Sequence, residues 1–159
     1  MLYLVQSAAT LVLASLAMQD VHARRLSNRA VLAFVTLYPV AAALAHDGLA
    51  QVAGHVATAT AMLVMFGVLR HAGWIGGGDV KLAAAVFLWA GPTLAFPVLT
   101  LIGASGAACG LAALAVVARR RRIAPATALA TRGVPYGVAL ALGGGLAVWA
   151  PFPHAVSLT

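Results

Sequence analysis

Six apolar runs separated by short breaks constrain this chain more than any other feature. They cover Leu2 to Gln19, Ala30 to Ala45, Leu49 to Leu69, Asp79 to Ala90 behind three glycines, Thr93 to Ala118, and Val134 to Ala150. A hydrocarbon layer about 30 Å thick needs roughly 20 apolar residues in a helix, and it offers unpaired backbone groups no partner. The runs therefore read as membrane-crossing helices. Composition agrees, with 63% of the 159 residues apolar and 8% charged, against about 25% charged in ordinary soluble domains. The mean hydropathy is +0.99. A soluble domain and a disordered chain are excluded. The single Cys109 excludes a disulfide framework, and no polar stretch is long enough for a second domain. The expected architecture is all-α: one polytopic membrane bundle over residues 1–159 with six transmembrane helices.

Ten Lys and Arg stand against three acids, Asp20, Asp47 and Asp79. If the chain turns at Gly91-Pro92, then Arg24, Arg25, Arg29, Arg70, Lys81, Arg119, Arg120, Arg121, Arg122 and Arg132 all fall on one side. A continuous helix through Gly91-Pro92 would send the arginine cluster to the other. Basic loops stay in the cytoplasm, so the six-span arrangement puts both termini outside. Leu2 to Ala17 has no basic segment ahead of it and a basic flank behind it, which reads as a retained helix and not a cleaved signal. The basic residues sit in short breaks with no aromatic-interleaved face, so nucleic acid is excluded as a partner and anionic lipid headgroups are expected instead. Trp74, Trp89 and Trp149 fall near the expected interfaces and read as belt residues.

Asp20 closes the first run and Asp79 opens the fourth, on the same side. Asp47 lies opposite, in His46-Asp47-Gly48. Each acid alone has a structural reading: Asp79 as a helix cap worth about 1 kcal/mol, and Asp20 as a partner for Arg24. Asp20, however, stands at a helix C-terminus, the wrong end of the dipole for an anion. As a pair they say more. Ionisable groups at a membrane usually mark function, and two close carboxylates share one proton, which suits general acid/base hydrolysis. By these helix ends alone, Asp79 is expected as the anion and Asp20 as the acid. A proton-coupled carrier or a non-enzymatic assembly factor would use the same acids differently. Carriers tend to show internal repeats and midplane carboxylates, neither of which is evident here.

His22, His46, His55, His71 and His154 form no H-E-x-x-H or H-x-x-E-H spacing, so no metal and no cofactor are expected. Gly76 to Lys81 lacks the spacing and the Ser/Thr of a phosphate-binding loop. Gly106 and Gly110 give a small face suited to packing within the chain, the simpler use, or to a homodimer.

Gly76-Gly77-Gly78-Asp79 is a G-x-G-D element. Together with the residues up to Leu82, with Asp20 and Arg25-Leu26-Ser27-Asn28, and with Pro135-Tyr136-Gly137 ahead of Gly143-Gly144-Gly145, it resembles the type IV prepilin peptidases. The nearest likeness is to the short form serving tight-adherence (Flp-type) pili. The resemblance implies an aspartic membrane protease with Asp20 and Asp79 as catalytic residues. It implies a small prepilin or pseudopilin as substrate, cut after a Gly between its basic leader and its hydrophobic helix, at the cytoplasmic face of the bacterial inner membrane. Gly76 and Gly78 would let an extended substrate approach closely. Lys81, Arg25 and Asn28 would border the site, the two basic residues holding a carboxylate charged or binding an acidic residue just past the cut. Ser27 departs from the proline that many relatives carry there. Longer relatives also methylate the new N-terminus and carry a cysteine-paired insert between the first two spans. Asp20 to Ala30 leaves no room for one, so cleavage without methylation and without zinc is expected.

Overall fold

The computed structural model describes residues 1–23, 26–123 and 136–150. Five helices follow one another: α1 (Leu2–Ala23), α2 (Asn28–Ala45), α3 (Leu49–His71), α4 (Gly77–Ile123) and α5 (Tyr136–Trp149), with no strand among the described residues. By length and composition α1, α2, α3 and the Gly77–Val116 part of α4 can each cross a membrane, and α5 is a shorter apolar helix. Local chemistry sets the ends. α2 closes on His46 in the left-handed region at φ 60, with the His46 and Asp47 N–H groups donating to the Ala43 and Ala42 carbonyls. α3 closes in the same way on Gly73 at φ 79, where Gly73 and Trp74 N–H donate to Arg70 and Leu69. In both, one left-handed residue lets the chain satisfy carbonyls that the last turn leaves unpaired.

α4 consists of two arms joined at Gly91, whose φ 62 and ψ −174 interrupt the helix. The adjacent α5 residues Gly143 and Gly144 show how the arms lie. Gly143 faces Val98 and Ile102, while Gly144 faces Val86. In a straight helix Val86 and Ile102 would stand about 24 Å apart. Both reach neighbouring positions of α5, so the chain folds back at Gly91. Pro92 has no N–H to return to the Leu88 carbonyl. The His55 ring takes that place, its Nδ1 donating to the Leu88 oxygen at 2.8 Å, and it packs against Gly91.

α1 buries Gln6, Ala9, Leu13, Leu16 and Asp20, a single stripe at three- and four-residue spacing. The stripe that buries two leucines therefore delivers Asp20 to the interior. α5 packs antiparallel on it, with Gly144 against Leu13, Gly137 against Asp20, and Gln6 Nε2 donating to the Val148 carbonyl at 2.9 Å. The first arm of α4, residues 77–90, is the centre of the bundle: Leu82, Ala83, Ala85, Val86, Phe87 and Ala90 are all buried. α3 is the opposite case, with Phe66 its one buried residue. Trp89 corrects the sequence expectation. It is 2% exposed, stacks on Phe34 and donates its indole N–H to the Phe34 carbonyl at 3.1 Å, so it is a core residue and not a belt residue. Trp74 and Trp149 are exposed. Gly106 is buried against Tyr136 and Ala139 of the same chain.

Candidate active site

At the end of the bundle where α1 finishes and α4 begins, Asp20 and Asp79 line one cleft of about 360 Å³ with Leu26, Asn28, Gly76, Gly77, Gly78 and Lys81. The helix start places Asp79. The Gly76 carbonyl accepts the Val80 N–H at 3.3 Å and so opens α4, with Asp79 three positions further on. From there the Asp79 carboxyl group turns back over the Gly76 backbone. A Cβ at Gly76 would stand 3.0 Å from Asp79 Oδ2. Asp79 is therefore not the cap residue itself but the acid that reaches back to it, half of a capping box. It remains half-buried on the cleft, so helix start and cleft share one side chain.

Asp20 is 7% exposed, and its Oδ2 accepts the Gly137 N–H at 2.7 Å. Gly137 lies in the first turn of α5, where backbone N–H groups have no acceptor within their own helix. Both carboxyl groups thus face the N-terminal end of a helix. α5 supplies Asp20 with the dipole end that α1 denies it, so helix ends alone do not divide the roles of the two acids.

The surroundings fix the connections. Gln19 Oε1 accepts the Ser27 N–H at 3.1 Å and ties α1 to the start of α2, where the Ser27 side chain makes no cap bond. Lys81 Nζ donates to Asn28 Oδ1 at 3.1 Å, bringing two of the expected residues together at the exposed rim. Gly78 packs on the Leu26 side chain, and the Arg70 guanidinium lies against Gly77. Arg25 falls outside the described residues. Asp47 belongs to the turn between α2 and α3 and not to the cleft. Among the described residues no three His, Cys, Asp or Glu gather as a metal site would need.

Two carboxyl groups opening on one cleft can take a proton from water and give one to a leaving amine, which is what peptide hydrolysis requires. A family model described as the type IV leader peptidase family matches residues 7–117. The chain belongs to that family. No curated protein and no solved structure matches it. Membership makes this leader peptidase a hydrolase and implies prepilins as its substrate class. The matched segment holds Asp20, Asp79 and the whole glycine loop but stops short of α5. Gly137 is one contact that sequence reasoning left without a role, although Pro135-Tyr136-Gly137 had drawn notice as a motif. Gln19 and Arg70 carried no signal for the site, being ordinary polar residues at helix ends.

Proposed function

We propose that this leader peptidase is an aspartic endopeptidase in which Asp20 and Asp79 are the catalytic residues. It removes the short leader of a Flp-type prepilin or pseudopilin at the cytoplasmic face of the bacterial inner membrane, without N-methylation. The observation that carries this reading is the opening of both carboxyl groups onto one cleft. A water held there is deprotonated by whichever carboxyl is ionised as its oxygen attacks the scissile carbonyl. The other carboxyl donates its proton to the amide nitrogen as the C–N bond breaks. The products are a leader ending in a carboxylic acid and a pilin with a free amine, and the dyad has exchanged the site of its one proton.

In this reading the reversal at Gly91 makes six crossings with both termini outside. The basic residues Arg29, Arg70 and Lys81 then share the dyad's side with the arginine cluster. Gly76 and Gly78 let an extended leader lie against the loop, and the Lys81 to Asn28 pair borders its path. The test is co-expression with a candidate prepilin, followed by intact-mass measurement. Wild type is expected to remove the leader without adding a methyl group. Asp20→Asn and Asp79→Asn should each leave the prepilin whole, and Asp47→Asn should process it normally. Normal processing by either dyad variant would refute the assignment.

A further inference from the structure

The Gly137 amide meets Asp20 from outside the family-matched segment, across the interface between α1 and α5. Three features of this contact go together. The N–H stands in the first turn of α5, where the helix itself offers no acceptor, so the carboxylate of another helix completes the turn. The bond is buried, joins side chain to backbone and measures 2.7 Å, which leaves Asp20 Oδ2 little freedom to rotate. There is also no space for a side chain at position 137, since a Cβ would lie 2.7 Å from both Cβ and Oδ2 of Asp20. Glycine here allows the α5 backbone to close on the carboxyl group, a distance that no other residue permits.

We propose that Gly137 is a positioning residue for the dyad: its backbone N–H fixes one oxygen of Asp20 and turns the other toward the cleft. This rests on the peptidase reading above. α5 then does more than complete the bundle, because its first turn is part of the catalytic apparatus. A backbone donor suits the task, since it is held by a helix and cannot change rotamer.

Two variants separate positioning from packing. Gly137→Ala pushes on the Asp20 carboxyl group. Gly144→Ala, on the same helix and also buried, crowds the Leu13 and Val86 side chains instead, with Leu13 Cδ1 2.9 Å from the new Cβ. If both merely disturb packing, they should lose thermal stability and turnover alike. If Gly137 positions Asp20, Gly137→Ala should lower kcat about 100-fold with KM held within roughly twofold. Gly144→Ala should then retain wild-type kcat per folded molecule.

Replacing residue 137 with glycolic acid by nonsense suppression exchanges the N–H for an ester oxygen and adds no bulk. This ester should cost at least about tenfold in kcat. The matching ester at Val138, in the same turn, should cost nothing measurable. All are assayed as full-length protein in detergent on a prepilin peptide, beside wild type and Asp20→Asn. An active 137 ester within roughly twofold of wild type overturns the positioning role while leaving the peptidase assignment intact. A wild type that does not cleave, or a fully active Asp20→Asn, overturns both.

Discussion

At the end of the bundle away from the dyad, Gln6 and Trp89 are as buried as Asp20, yet each ends on a backbone carbonyl, Val148 and Phe34 respectively. His55 does likewise at Leu88, where Pro92 supplies no N–H. At the dyad end Asp20 accepts a backbone N–H, Asp79 folds back over Gly76, and both carboxyl groups still open onto a cleft. The difference lies in what remains over once the backbone has been satisfied. A polar group whose donor is consumed by a carbonyl stabilises a turn or a packed pair. A carboxyl group anchored by one oxygen keeps the other for chemistry. On the proposed peptidase reading the two ends therefore have separate jobs, and mutations should divide accordingly.

The largest effect should come from the dyad. Asp20→Asn and Asp79→Asn are each expected to lower kcat by more than about 1,000-fold, while thermal unfolding in detergent, followed by tryptophan fluorescence, moves little. At the far end the pattern should invert. His55→Ala leaves the Leu88 carbonyl without a donor and should cost about 1–3 kcal/mol of stability, with turnover per folded molecule unchanged. Trp89→Phe should behave similarly, checked by the same melt and the same peptide assay. A smaller result tests the rule within the far end itself. Gln6 bonds Val148 through Nε2 but leaves its buried Oε1 without a partner. Gln6→Leu loses one bond and removes one unpaired group, so stability should change by less than about 1 kcal/mol. The smallest effect should come from Lys81→Ala at the exposed rim, raising KM by about threefold or less and leaving kcat alone. A large loss of kcat there would move Lys81 from the rim into the chemistry.

Much of this contrast could be read from the chain before its shape was known. The apolar runs locate α1, α2 and α3 to within a few residues, and the helices run past them, α1 to Ala23 and α3 to His71, because backbone bonding continues through polar ends. The turn at Gly91 is expected from keeping the basic residues on one side, and the chain does reverse there. Asp20 continues the spacing of Ala9, Leu13 and Leu16, so its inward orientation is written into the stripe. Trp89 was misread because position relative to a turn says nothing of what packs around it. α3 and the first arm of α4 are both strongly apolar, and hydropathy cannot tell a helix bordered by lipid from one enclosed by other helices. Gly137 escaped for another reason. Its contribution is a backbone N–H, which every residue but proline has, and its partner lies far away in sequence at Asp20. The helix-end argument for dividing acid and base roles lost its basis with it, since it counted only the helices on which the two acids reside.

The most direct measurement is a double-mutant cycle on prepilin cleavage, comparing Asp20→Asn, Asp79→Asn and the combined variant. If the two carboxyl groups act on one peptide bond as a single unit, the double variant should be no slower than the slower single variant. Two independent losses that multiply in the double variant would contradict a shared catalytic pair.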